Sequence, residues 1–348
     1  MPVSGEAVRS RPVLLALLLL AVLMAVDAVT GTRIAGAYCG AALVASMLTS
    51  ARHTAFVAAA ATAAALVSGT WHDSLGTFDW AVRAVLCALL SALCVVSAAS
   101  RTRREGRLQR LNVIAEAAQR AVLRTLPTAV GSVGLAARYE SAFEDAAVGG
   151  DLYEVSETPY GVRILIGDVR GKGLEAVQLA ASVLGAFRQA AFSTVDLVDV
   201  AVRLDAVVST VAGDEDFVTA VLAEMHPDGS FTVVNCGHHP PLLVTPSRTG
   251  ALRPAMLDTG EPAVPLGLGC RPHLVHERWS TGSRLLFYTD GLVEARDRAG
   301  SFFDLVEHAG ALRAPSLAAA LDALVAELLE HTGHRLDDDM ALVLAQRL

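Results

Sequence analysis

Carboxylates recur in four short motifs spread over nearly two hundred residues: Gly149-Gly150-Asp151, Gly167-Asp168-Val169-Arg170-Gly171-Lys172-Gly173, Tyr288-Thr289-Asp290-Gly291 and Asp337-Asp338-Asp339-Met340. Hard divalent cations take carboxylate, carbonyl and water oxygens, and a pair of them needs acids contributed by separate parts of a fold. The motifs are therefore expected to build one metal site. Singly, an Asp beside a Gly is an ordinary turn residue. Asp168 differs, because Gly167, Gly171 and Gly173 let the backbone close around a ligand just before a helical stretch opens at Leu174. In that position Asp168 can bridge two metals while the Val169 carbonyl supplies another oxygen. Asp151 is expected to ligate an ion or orient a water. Asp337, Asp338 and Asp339 would repel one another, and the apolar run resumes at once at Ala341, so at least one of them should face inward to metal.

Other chemistries fit less well. Lys172 is the chain's only lysine and places a flexible cation beside the site, where it can meet substrate. His238-His239 precedes Pro240-Pro241, a rigid turn expected to shape the site rim, since oxygen-rich sites favour hard ions. His331 and His334 fall at a helix end, where imidazole complements the dipole without metal. The glycine-rich loop matches neither GxxxxGK[ST] nor GxGxxG, and Asp151 is followed by Leu152 rather than the Glu of a diguanylate cyclase. No GxSxG elbow occurs, and no Ser/His/Asp or Cys/His system stands out, which leaves metal-activated water.

The acids need elements to carry them. Asp168 follows Val162–Ile166 and Asp290 follows Leu285–Tyr288, so both are expected where core strands emerge at one edge of a sheet. Strands are expected at 162–166, 217–225, 231–236, 284–289 and 341–346, with helices near 174–191, 196–211 and 315–331. Pro227-Asp228-Gly229 marks a hairpin turn. This pattern is an α+β domain over residues 134–348.

The first hundred residues are of another kind. The chain has 348 residues, 53% of them hydrophobic, and the excess is concentrated there. Apolar stretches at 12–29, 34–49, 54–70 and 80–99 predict four transmembrane helices over residues 1–100, with small residues where they pack. Arg9, Arg11, Arg52 and the Arg101, Arg103, Arg104, Arg107 cluster place both termini in the cytoplasm, with Arg33 dissenting. Residues 101–133 form an amphipathic linker, helical from Arg101 to about Leu126 and ended by Pro127. A net charge of -8 argues against nucleic acid as a partner and leaves membrane lipid for the arginines. The five cysteines show no CxxC spacing and are expected as free thiols.

Residues 112–347 resemble the metal-dependent PPM protein phosphatases, specifically the SpoIIE-like bacterial branch. The resemblance is carried by Ala117-Ala118-Gln119-Arg120 through Leu126-Pro127, Ala137-Arg138-Tyr139, Val148-Gly149-Gly150-Asp151, the Gly167–Gly173 loop, Cys236 to Pro241, Leu286 to Glu294 and Asp338-Asp339-Met340-Ala341. It implies a central β-sandwich flanked by α-helices and a centre of two divalent cations, Mn²⁺ or Mg²⁺, hydrolysing phosphoserine or phosphothreonine. By the same resemblance Asp168 bridges the metals with help from the Val169 carbonyl, Asp290 and Asp338 ligate one ion, Asp151 orients a water or binds the other, and Asp339 is a neighbouring ligand. Two departures stand out: Lys172 where histidine is frequent, and Arg170 where small residues are. The expected protein is a multi-pass enzyme of the bacterial cell membrane with a cytoplasmic phosphatase domain. Its substrate is a phosphorylated protein such as an anti-sigma-factor antagonist, and a homodimer is among the assemblies expected. The rival reading is a membrane receptor whose phosphatase-like domain binds a partner without catalysis.

Overall fold

The structure is a computed structural model that describes residues 4–141, 149–213, 215–246, 252–261 and 263–348. The chain divides into two compact units, Met1–Arg110 and Leu111–Leu348.

The first unit is helical: α1 (Ser4–Thr30), a 3₁₀ turn at Ala35–Tyr38, α2 (Cys39–Leu48), α3 (Ala51–Val67) and the start of α4 (Phe78–Val122). Its core is built largely from small side chains, among them Ala41, Ala45, Ala61 and Ala65, which let helix backbones approach closely. Two segments, Arg11–Thr30 and Phe78–Gln119, are long and apolar enough to cross a membrane. The other two expected spans fall on shorter apolar helices, Ala35–Leu48 and Ala51–Val67, because turns break the apolar run. The buried Asp27 carboxylate accepts hydrogen bonds from Ile34 N (2.6 Å), Tyr38 Oη (2.8 Å) and Trp71 Nε1 (3.3 Å), and His72 Nε2 lies 3.1 Å away. A charge at the end of an apolar helix is thereby fully partnered.

The second unit begins within α4, which ends four residues earlier than the expected Leu126. The residue before Pro127 is driven out of the helical region, and Leu123 and Leu126 turn into the cores beneath. There follow β1 (Ala129–Val130), β2 (Val133–Glu140), β3 (Leu152–Thr158), β4 (Gly161–Val169), α5 (Leu174–Ser193), α6 (Leu197–Val211), β5 (Val218–Met225) and β6 (Ser230–Cys236). The chain continues through β7 (Leu242–Pro246), β8 (Leu252–Met256), β9 (Leu274–Arg278), β10 (Arg284–Tyr288), α7 (Asp290–Val293), a 3₁₀ segment Glu307–Arg313, α8 (Leu317–Thr332) and β11 (Met340–Arg347). The strands and helices expected within residues 134–348 all occur, with bounds shifted by up to three residues.

Two antiparallel sheets result, ordered β1-β2-β11-β10-β7-β8 and β3-β4-β5-β6-β9. Side chains alternate faces along each strand, which sorts the apolar residues into three layers. Ile164, Ile166, Val221, Phe287, Ala341 and Val343 meet between the sheets. Leu165, Val169 and Leu222 face α5 and α6, while Leu286, Leu342 and Leu344 face α8. This is the helix-flanked β-sandwich implied by the resemblance. Arg163 is fully buried where α5 ends: it pairs with Glu224 (2.5 Å) and donates to the carbonyls of Ala191 (2.9 Å), Thr194 (2.6 Å) and Val195 (2.5 Å). Those groups satisfy a guanidinium that would otherwise be prohibitive in a core.

Candidate metal centre

Strand parity decides where the acids point. On β4, Ile164 and Ile166 face the other sheet, so Asp168 does too. On β3, Tyr153 and Val155 do, so Asp151 just before the strand follows suit; on β11, Ala341 and Val343 place Asp339 likewise. Antiparallel pairing then puts these strand ends together, since Leu152 opposes Gly167, Asp168 opposes Thr219 and Tyr288 opposes Leu342. The acids sit at one end of the sandwich, contributed by both sheets, and not at one edge of a single sheet as the sequence suggested. Strand alternation is legible locally, whereas the stacking of two sheets is a property of the whole domain.

Asp151 and Asp168 are near enough to act on each other's charge. Asp151 is buried, 3% exposed, and Thr289 Oγ1 donates to its Oδ2 at 2.8 Å. The same hydroxyl accepts from Ala341 N at 2.9 Å, which fixes Asp151 to the start of β11. Burial first, and then the Asp168 charge, push the Asp151 carboxyl well above its ordinary range. Burial, reinforced by Asp290 and Asp338, raises Asp168 to about 7, and burial together with Asp338 raises Asp290. Carboxylates that raise one another in this way form a site short of positive charge.

Two of the three acids of the last motif, Asp338 and Asp339, behave oppositely. Asp339 turns inward, 3% exposed, and accepts hydrogen bonds from Tyr139 Oη (2.8 Å), Ser141 Oγ (3.1 Å) and Gly149 N. Asp338 stays at the surface, 44% exposed, paired with Lys172 Nζ at 2.8 Å. Gly149 and Gly150 are required here: a Cβ at Gly149 would lie 2.7 Å from Asp339 Oδ2, and one at Gly150 would lie 2.7 Å from the Val169 carbonyl oxygen. Val148, which precedes them in the motif, lies outside the described residues.

His238 holds the two halves together. Its Nε2–H donates to the Tyr288 carbonyl (3.0 Å), which leaves Nδ1 to accept from Thr219 Oγ1 (2.8 Å). Tyr288 precedes the Asp290 turn and Thr219 pairs with Asp168, so one imidazole spans both sheets. Asn235 in turn grips the His238 backbone through N–H (2.8 Å) and C=O (2.9 Å). Burial drives the imidazole down to about 4, so it is neutral. His238 is a brace and not a ligand. Sequence reasoning passed over Gln119, whose amide donates to the Asp151 carbonyl (3.4 Å) and bonds Tyr139, and over Thr289, Thr219 and Asn235. Thr289 alone had a local signal, standing between a strand and Asp290.

A cleft of about 320 Å³ opens on Asp168 and Asp290, walled by Arg170, Phe217, Thr219, His238, His239 and Glu294. The Arg170 guanidinium lies over the Phe217 ring, 5.4 Å from its centroid, and His239 stacks on Tyr288. Among the described residues, no three His, Cys, Asp or Glu side chains are drawn together as a finished ligand set. The donors nonetheless fit hard divalent ions: they are carboxylates with a nearby backbone carbonyl, two of them line one cleft, and burial with mutual repulsion raises Asp151, Asp168 and Asp290.

A model of the family Stage II sporulation protein E (SpoIIE) matches residues 158–348, more than half of the chain. The chain is also similar to a structure of the RsbU and RsbW domains of a Mycobacterium tuberculosis protein, at 28% identity and TM-score 0.51, over 62% of this chain and 60% of that one. The PP2C phosphatase domain of SpoIIE from Bacillus subtilis, with a fragment of its regulatory domain, matches at 18% identity and TM-score 0.50, over 62% of each chain. The SiaA-PP2C domain of Pseudomonas aeruginosa matches at 19% identity and TM-score 0.55, over 72% of this chain and 98% of that one. The chain thus spans about three fifths of the length of the first two relatives. At 18% and 19% identity the latter two establish the fold alone. The family match and the sandwich geometry agree: this chain belongs to the SpoIIE family and carries a PPM-type phosphatase domain.

Proposed function

We propose that this chain is a membrane-anchored phosphatase that removes phosphate from phosphoserine or phosphothreonine of a protein substrate. The observation that carries the reading is that Asp168 and Asp290 line one cleft, with Asp151 buried next to Asp168 and with Asp338 and Asp339 nearby, within a SpoIIE-family domain. Two divalent cations, Mn²⁺ or Mg²⁺, would be held by Asp151, Asp168, Asp290 and Asp338 and by the Val169 carbonyl, with Asp339 alongside. When bound, such ions acidify water and neutralise phosphoryl charge. The protein's own part is placement. Thr289 and Gln119 hold Asp151, His238 keeps the Asp168 and Asp290 strand ends in register, and the cleft admits a phosphorylated side chain past Arg170. The membrane part of the reading rests on the two long apolar segments, with the shorter α2 and α3 completing a four-helix, multi-pass region and both termini cytoplasmic. The resemblance supplies the substrate class, a phosphorylated anti-sigma-factor antagonist, and α4 is the segment that would carry a signal from the membrane region to catalysis.

The test is Mn²⁺-dependent phosphate release from a phosphoprotein by the full chain in detergent micelles. Asp168→Ala and Asp290→Ala should each lower the rate by roughly a hundredfold or more, about 2.7 kcal/mol of barrier. Undiminished release by both variants would overturn the site. Absence of release from every chain, with the substrate still bound, would favour the non-catalytic receptor.

A further inference from the structure

We propose that Lys172 is a tethered cation that competes with a divalent ion for the Asp338 carboxylate, so that the acidic centre completes its ion set only when this lysine lets go. The inference rests on the metal-centre reading above and concerns a residue to which that reading gives no role.

Lys172 Nζ lies 2.8 Å from Asp338 Oδ1, and the same oxygen accepts from Asp339 N at 2.9 Å. The ammonium also stands in the fields of Asp339 and Asp290, and it offsets at Asp168 part of what Asp338 imposes there. It therefore occupies the position of a positive charge that the surrounding acids demand. A divalent ion on Asp338 would stand beside the ammonium, and like charges at such range repel, so each weakens the hold of the other on the carboxylate. Displacement is easy for two reasons. The pair is solvent-exposed, at 43% and 44%, and exposed ion pairs are weak. The loop is also free to yield: Gly171 (φ 109°) and Gly173 (φ 87°) flank the lysine in backbone conformations open to glycine, with no atoms within 4 Å of where a Cβ would stand. A lysine suits the purpose better than an arginine, because a compact ammonium on a flexible stem resembles a monatomic cation and makes no planar, two-point grip.

The chain has no other lysine, which makes the residue individually addressable. The full chain in detergent micelles is titrated with Mn²⁺ by calorimetry, in parallel with acylation by an amine-reactive ester, read by peptide mass mapping that separates Lys172 from the α-amine. Saturating Mn²⁺ should speed Lys172 acylation at least threefold. Lys172→Gln should bind the weaker Mn²⁺ at least threefold more tightly, whereas Lys172→Arg, which keeps the charge and can grip Asp338 at two points, should bind it no more tightly than the parent. Asp338→Asn should acylate fast with or without Mn²⁺, and adding Lys172→Gln to it should bring no further gain. Binding by Lys172→Gln alone, with none by the parent, would equally support the competition. Mn²⁺ binding that is equal in parent and Lys172→Gln, with acylation unmoved by the metal, would overturn this inference and leave the metal centre standing. Failure of every chain to bind Mn²⁺ would overturn both.

Discussion

At the scale of the residue, two buried groups with opposite titration behaviour lie on one hydrogen-bonded path, Asp168 and His238. The His238 imidazole falls from an ordinary 6.5 to about 4 through burial. The unfolded chain takes up its proton first, so this group withdraws stability as pH drops from 6.5 towards 4. Asp168 rises from 3.8 to about 7, so the folded chain keeps the proton longer, and metal-free protein loses stability as pH climbs through that interval. The two slopes oppose each other and must be separated by substitution. Asp168→Asn should raise the unfolding midpoint of chelator-treated protein more at pH 7.5 than at pH 5, and His238→Gln should flatten the acid-side loss. Thermal melts across pH 4–8 read both; parallel pH profiles for parent and variants would contradict the assignments.

At the scale of the element, two side chains tie helices to the sandwich. Gln119 reaches from the last turns of α4 to the Asp151 carbonyl and Tyr139, whose hydroxyl holds Asp339. Gln119→Ala should cost about 1 kcal/mol of stability and weaken Mn²⁺ binding, because Asp151 and Asp339 lose a common support; calorimetry with unchanged affinity would show that α4 only packs there. Arg163 fastens the end of α5 to the sheet. Arg163→Ala strands Glu224 and three carbonyls in the interior, and should lower unfolding stability by about 3–5 kcal/mol, measured by denaturant titration. The paired replacement Arg163→Met with Glu224→Gln should recover much of that loss, since it removes the orphaned charge.

The elements also mark how far sequence reasoning reaches. Runs such as Leu285–Tyr288 and Ala341–Leu344 declare themselves as strands because apolar, β-favouring residues are uninterrupted, and Pro127 announces the end of a helix. Asp338 and Asp339 are harder. Which of two adjacent acids faces inward depends on the register of β11 against β2 and β10, and a shift of one residue would exchange their roles. The resemblance names Asp338 as a ligand and Asp339 as its neighbour; the structure buries Asp339 and pairs Asp338 with Lys172.

At the scale of the whole molecule, a helical unit containing two segments able to cross a membrane accompanies a PPM-type domain in one chain, with α4 running through residues of both. The full chain should sediment with membranes, resist extraction at alkaline pH and be released by detergent. Recovery in the soluble fraction after alkaline washing would contradict integration.

By itself the sequence determined the family, the order of elements, the apolar first hundred residues and the identity of the acids, because these depend on residue type and near-neighbour spacing. Only the tertiary structure decided that the acids come from both sheets, that His238 ties Thr219 to the Tyr288 carbonyl across them, and that Lys172 is already paired with one of them. Each depends on contacts between residues 19 to 166 positions apart along the chain, and no local pattern encodes such a distance.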